Sequence, residues 1–210
     1  MTSIEGGVTA PKGYRASGVP AGIKKDPKQF DCALIVSTRD CRVAGVFTQN
    51  LMKSPPVFWN IDVCKSGTAR AVFINSGNAN AATGQPGRDN VKSTAQYVAN
   101  GAPYGFEEVC ICSTGVIGVQ LPMDKIENGV DDCIDTLSDH GSTAASKAIL
   151  TTDTVPKERA IEIEIGGKSV RLGAIAKGSG MISPNMATMI CIVTTDAHIE
   201  APMLDGLLKK

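Results

Sequence analysis

The clearest alternation of apolar and polar residues lies between positions 161 and 172. Isoleucines alternate with glutamates up to Ile165, and the Gly166-Gly167 pair supplies the positive φ angles that a two-residue hairpin turn requires. Pairing across this turn places Ile163 opposite Val170, with apolar side chains on one face of both strands. We therefore predict a β-hairpin here.

Other apolar runs predict a mixture of strands and helices. Short runs rich in β-branched residues predict strands, and apolar residues at helical spacing predict helices. The predicted strands cover residues 33–36, 43–47, 69–74, 109–112 and 189–193, and the predicted helices cover residues 89–100, 123–137 and 144–150, with a helix start at 200–204. This order predicts an α/β protein of α+β type, with layered, mainly antiparallel sheets flanked by helices.

The composition argues against several functional classes. The 210 residues include 21 basic and 21 acidic side chains, so no excess charge favours nucleic acid or a membrane surface. Aromatic residues make up only 4%, too few for base-stacking platforms. The sequence has neither an eighteen-residue apolar run nor an export leader, and we therefore expect a cytoplasmic protein.

Metal and cofactor binding also have little support in the sequence. Seven cysteines occur without a Cys-x-x-Cys pair, and only two histidines are present. The spacing of Gly173 and Gly178 fits a phosphate loop, but Ser179 stands where the loop requires lysine. We therefore expect no metal site and no bound cofactor.

The segment before the run 189–193 contains a candidate nucleophile. Pro184 and Asn185 favour a tight turn, and Thr188 directly precedes the apolar run. Cleavage between Ala187 and Thr188 would leave a hydroxyl and a free α-amine on one residue, which is a nucleophile with its own base. The alternative is an ordinary β-branched residue at the start of a strand.

Three further segments carry polar groups at the ends of predicted elements. Thr114 and Gly115 follow a strand, where a hydroxyl and an accessible backbone N–H suit an oxyanion hole, although a simple turn also explains them. Lys177 stands beside glycines and is either a carboxylate ligand or a solvated strand-end lysine. Residues 151–154 either line a polar pocket or cap a helix.

Together, these motifs resemble one family, the glutamate N-acetyltransferases (ornithine acetyltransferases) of the cyclic arginine pathway. The resemblance runs almost from end to end, and its motifs occur in the family's order at residues 6–13, 75–80, 113–118, 121–126, 149–154 and 177–189. Several motifs in the same order are far more specific than any one of them alone.

The resemblance implies a precursor that cleaves itself between Ala187 and Thr188. Residues 1–187 would form an α chain and residues 188–210 the start of a β chain. Thr188 would be the nucleophile, Thr114 and Gly115 would form the oxyanion hole, and the substrate-binding residues would be Thr154, Lys177 and Thr188.

The same resemblance implies the substrates and the assembly. An acetyl group would pass from N2-acetylornithine to glutamate through an acetyl-threonine enzyme, with acetyl-CoA as a further donor in some members. The α and β chains would form an α2β2 assembly. Family precursors are longer and carry further substrate-binding residues, so we expect the chain that ends at Lys210 to be inactive alone, with the bond before Thr188 uncut.

Two alternatives remain open from the sequence. A self-processing aminopeptidase of related architecture uses the same nucleophile for hydrolysis. A non-enzymatic α-chain piece would serve only to pack against a β chain.

Overall fold

The computed structural model describes residues 1–179 and 189–210, and within them the chain forms two four-stranded sheets and five α-helices. The strands are β1 (Thr2–Ile4), β2 (Tyr14–Val19), β3 (Cys32–Ser37), β4 (Ala71–Asn78), β5 (Val109–Val116), β6 (Lys157–Ile165), β7 (Lys168–Lys177) and β8 (Ile190–Thr195). The helices are α1 (Pro55–Ser66), α2 (Gly84–Ala99), α3 (Met123–Asp135), α4 (Ser142–Ala148) and α5 (Ala201–Leu208). This architecture confirms the predicted fold class.

The two sheets differ in strand direction. The first sheet has the order β2-β3-β4-β5, with antiparallel pairs except for the parallel pair β4–β5. Helix α2 connects that parallel pair, as a crossover connection requires. The second sheet has the order β1-β6-β7-β8 and is antiparallel throughout.

Strand β3 shows why the first sheet lies at the centre of the molecule. Cys32 and Leu34 pack on one face against helices α2 and α3. Ala33 and Ile35 pack on the other face, in a cluster that includes Ile175 of the second sheet and residues of helix α4. A strand buried on both faces reads as a continuous apolar run, and both of these clusters stabilise the fold by removing apolar surface from water.

The predicted hairpin is present with the predicted register. Strands β6 and β7 pair around Gly166 and Gly167, both of which have positive φ angles. Ile163 lies opposite Val170, as the alternation predicts. The turn chemistry and the strand pattern agree here, so local sequence alone determines the pairing.

The strand predicted over residues 43–47 is wrong. This stretch contains only loop backbone, next to an isolated bridge between Arg42 and Thr68. Its apolar residues pack on helix α1 instead of joining a sheet: Val43 contacts the cluster around Val63, and a side chain at Gly45 would collide with the Cys64 thiol. Tertiary packing therefore overrides the local β preference.

Helix α1, which the sequence did not predict, covers the outer edge of strand β5. The Trp59 indole N–H donates to the carbonyl of Val109 at 2.8 Å. Asn60 makes two bonds to Ile111, donating to its carbonyl and accepting from its N–H, both at 2.8 Å. These side chains satisfy the backbone groups that an edge strand would otherwise expose.

Candidate active site

The parallel pairing of β4 and β5 brings the polar carboxyl ends of these two strands together. Gly77 lies opposite Gly115, and Ser76 lies opposite Thr114. A Cβ atom on Gly115 would lie 2.4 Å from the carbonyl carbon of Gly77, and Gly115 has a φ of +134°. Only glycine allows so close a backbone approach in this conformation. The position of Thr114 therefore depends on Gly115.

Lys177 connects these strand ends to the second sheet. It is the last residue of β7, and it is only 4% exposed. Its Nζ donates to the hydroxyl of Thr114 at 3.1 Å and to the hydroxyl of Thr151 at 2.9 Å. Burial lowers the pKa of Lys177, and the Asp153 carboxylate opposes that shift.

Asp153 holds the backbone that follows Lys177. Its Oδ1 accepts the N–H of Gly178 at 2.8 Å and forms an ion pair with Lys157. Burial raises the pKa of Asp153, but the hydrogen bonds from Lys157 and Gly178 outweigh it, so the pKa lies below its usual value. Its other oxygen, Oδ2, is buried and has no hydrogen-bond partner among the described residues. The carboxylate is thus ionised and fixes the exit of strand β7.

The structure brings together three of the predicted site residues, Thr114, Gly115 and Lys177. Within the described part of the chain, the threonine that Lys177 contacts in the 151–154 segment is Thr151, which the sequence interpretation did not single out. The adjacent threonines were the only sequence signal for it. Thr154 is exposed, and its assignment to the substrate site stays a prediction.

The predicted cleavage residues Ala187 and Thr188 lie outside the described residues. The described chain on either side of them converges on the site. Lys177 pairs with Ile190 across strands β7 and β8, and a Cβ on Gly178 would lie 3.5 Å from the Cα of Met189. Met189, which follows Thr188 in the sequence, therefore lies beside Gly178 at the end of strand β7.

An open pocket of about 400 Å³ adjoins this cluster. It shares Thr151 and Asp153 with the cluster, and its other lining residues are Lys24, Gln29, Phe30, Lys147 and Leu150. Its lining combines two lysines with two apolar residues. Such a surface suits a small anionic molecule with an aliphatic part.

Comparison with known proteins assigns the family. The sequence profile of the ArgJ family matches residues 15–210. The chain belongs to the ArgJ family.

Relatives in this family are similar over the whole chain. The chain is 46% identical over 209 residues to the arginine biosynthesis bifunctional protein ArgJ of Caldanaerobacter subterraneus subsp. tengcongensis, and the match covers all of this chain and 51% of that protein. It therefore spans about half the length of the curated ArgJ relatives that it matches.

Solved structures support the same fold. The ornithine acetyltransferase of Mycobacterium tuberculosis, solved in complex with ornithine, has a TM-score of 0.79 and 43% identity, and the match covers 88% of this chain and 96% of that chain. The L-aminopeptidase D-Ala-esterase/amidase of Ochrobactrum anthropi, described as a variant of the Ntn hydrolase fold, has a TM-score of 0.57, with 12% identity, and covers 100% of this chain and 68% of that chain. The second likeness concerns the fold alone.

Two further observations concern the described residues as a whole. Among residues 1–179 and 189–210, no three His, Cys, Asp or Glu side chains lie close enough to hold a metal ion. No helix in the same ranges is long and apolar enough to cross a membrane.

Proposed function

We propose that this chain is the first part of an acetyltransferase precursor that moves an acetyl group from N2-acetylornithine to glutamate. The proposal rests chiefly on one observation, the hydrogen bond from Lys177 to Thr114 beside Gly115. It draws further support from family membership and from the likeness to the ornithine acetyltransferase chain. Arginine biosynthesis in the cytoplasm, and an α2β2 assembly, belong to the same proposal.

In the proposed processing step, the Thr188 hydroxyl oxygen attacks the carbonyl carbon of Ala187. The carbon–nitrogen bond breaks, an ester forms, and the α-amine of Thr188 takes the hydroxyl proton. Water then hydrolyses the ester, leaving a carboxylate on Ala187 and a free threonine. The match to nearly the whole of a solved ornithine acetyltransferase chain, but to only half of the full-length relatives, supports a family precursor that is divided in two.

In the proposed transfer step, Thr188 attacks the acetyl carbon of N2-acetylornithine. Its α-amine, with a reference pKa of about 7.7–8.0, accepts the hydroxyl proton and passes it to the departing amine of ornithine. The neutral amine of glutamate then attacks the acetyl ester on Thr188, and the ester carbon–oxygen bond breaks. One proton of the attacking amine passes through the α-amine of Thr188 to the threonine oxygen, which regenerates the hydroxyl and releases N-acetylglutamate.

The hydrogen bond from Lys177 leaves the Thr114 hydroxyl to act as a donor in the proposed oxyanion hole. Because the ammonium donates to Thr114 Oγ1, the oxygen acts as acceptor and its own hydrogen is left to donate. A neighbouring positive charge strengthens that donor, and hydrogen bonds to a developing oxyanion contribute several kcal/mol in enzymes of this type. In this proposal Lys177 therefore acts through Thr114, in addition to its predicted role in substrate binding.

The experiment uses the full-length gene product. Intact-mass analysis should show two chains divided before Thr188, and a brief exposure to N2-acetylornithine should add one acetyl group to the chain that begins with Thr188. Glutamate should then remove that acetyl group as N-acetylglutamate. A protein that stays in one piece, or that never becomes acetylated, would contradict the proposal. Acetyl-CoA as the donor is a separate arm of the same assay.

Aminopeptidase activity is the second candidate function, because this chain shares its fold with the L-aminopeptidase of Ochrobactrum anthropi. Hydrolysis of small peptide amides without acetyl transfer would favour it.

A further inference from the structure

Lys24 reaches the candidate active site from the loop between strands β2 and β3. A Cβ atom on Gly77 would lie 3.0 Å from Ile23 Cγ2 and 3.3 Å from Lys24 Cγ. Gly77 in turn lies opposite Gly115. The aliphatic part of Lys24 therefore covers the end of β4 directly beside the proposed oxyanion hole, and the absence of a side chain at Gly77 makes room for it.

The loop that carries Lys24 is held by a buried carboxylate. Asp31 is fully buried, and it accepts backbone N–H groups from Ala21 at 2.6 Å, Ile23 at 2.7 Å and Lys24 at 3.1 Å. The Lys24 ammonium also donates to the carbonyl of Phe30 at 2.6 Å. An ammonium has three donors, and with Phe30 as its hydrogen-bond partner within residues 1–179 and 189–210, two donors are left for a ligand. The side chain is thus fixed in place before any ligand arrives.

The charged residues that line the pocket, Lys24, Lys147 and Asp153, carry a net positive charge. Lys24 and Lys147 both line the pocket, whereas the carboxylate there, Asp153, is already bound by Lys157 and Gly178. Burial lowers the pKa of Lys24; the Asp31 carboxylate opposes that shift, and repulsion from the Lys177 ammonium adds to it. An anion beside these ammonium groups would remove that repulsion.

We propose that Lys24 binds a carboxylate group of the amino-acid substrate, with the substrate's methylene groups against Phe30 and Leu150. This assignment rests on the proposed acyl transfer, and it adds a substrate-binding residue outside the motifs that the sequence indicated. The positions support it: Lys24 lines the pocket, its stem borders Gly77, which lies opposite Gly115, and the pocket shares Thr151 and Asp153 with the Lys177 cluster.

The experiment compares Lys24→Met, Lys24→Arg and the control Lys28→Met in the full-length gene product. Lys28 is an exposed lysine of the same loop. We expect Lys24→Met to raise the KM for glutamate about tenfold or more with little change in kcat, as loss of a charge-assisted hydrogen bond implies. Lys24→Arg should restore part of the affinity, and Lys28→Met should behave as the wild type. Circular dichroism checks that each variant is folded.

The choice of substrate locates the carboxylate. A rise in KM for both glutamate and N2-acetylornithine assigns Lys24 to the α-carboxylate, and a rise for glutamate alone assigns it to the side-chain carboxylate. Equal KM values in Lys24→Met and Lys28→Met, for both substrates, overturn the inference.

A binding measurement separates this inference from the proposed function. If the wild-type protein transfers no acetyl group, the proposed function fails, and calorimetric titration with glutamate then decides the role of Lys24. Binding that weakens about tenfold or more in Lys24→Met supports the carboxylate site. Equal binding by the wild type and this variant, or no binding by the wild type, overturns it.

Discussion

Replacing Gly115 with alanine should force strands β4 and β5 apart at the end where Thr114 lies. The new Cβ would lie 2.4 Å from the Gly77 carbonyl carbon and 2.7 Å from the Asn78 nitrogen, and these are backbone atoms that cannot rotate away. Overpacking of this kind costs about 1–3 kcal/mol, and the φ of +134° adds about 1–3 kcal/mol of strain. We expect a total loss of about 2–6 kcal/mol in the free energy of unfolding.

Gly118 provides the matched control for this substitution. It also has a positive φ, +81°, but an added Cβ would meet nothing within 4 Å. Gly118→Ala should therefore cost only the backbone strain, about 1–2 kcal/mol. Urea denaturation of both variants of the full-length protein measures the difference, and intact mass reports the fraction cleaved. Equal losses of stability in the two variants would refute the close-approach argument.

Substitutions at three other positions test separate parts of the mechanism and the fold. Thr188→Ala should abolish chain cleavage and acetyl-enzyme formation, while Thr188→Ser should retain part of both because the hydroxyl survives; normal cleavage of the alanine variant in intact-mass analysis would contradict the mechanism. Asp153 has a lowered pKa in the folded state, so its carboxylate stabilises the fold fully above the usual carboxyl pKa of 3.8, and this contribution is lost as the pH falls through the lower, folded-state pKa. Asp153→Asn should remove this part of the pH dependence of the denaturation midpoint. A variant whose midpoint changes with pH as in the wild type would contradict this role of Asp153. Asn60→Ala leaves the N–H and carbonyl of Ile111 without their side-chain partner and should lower the free energy of unfolding by about 1–3 kcal/mol; chemical denaturation showing no loss would mean that water replaces Asn60.

Sequence-based prediction succeeded where neighbouring residues decide the structure. The hairpin of β6 and β7 has its strands and its turn within one short segment, so periodicity and the two glycines suffice. Helix α3 was predicted over residues 123–137 because its apolar residues recur at helical spacing, and in the structure it spans Met123–Asp135. The parallel pairing of β4 with β5 was not predicted, since each of those strands alone carries no signal for its partner's direction.

Prediction failed where packing between distant segments decides the structure. Residues 43–47 have the composition of a strand, yet they lie against helix α1 as a loop. Helix α1 itself begins with two prolines, and its role is to cover strand β5 with Trp59 and Asn60. A helix that contacts a strand edge through polar side chains lacks the simple apolar stripe by which helices are recognised.

The sequence by itself determined the hairpin of β6 and β7, helix α3, the family motifs and the candidate residues Thr114, Gly115, Lys177 and Thr188. Only the tertiary structure decided that Lys177 contacts Thr114, 63 positions away, and Thr151, and that Lys24 lies at the same site. The physical reason is that these contacts join segments far apart in the sequence, and the one between Lys177 and Thr114 crosses from one sheet to the other. They exist because the faces of both sheets are buried against each other, and local periodicity specifies which face is buried but not what it packs against.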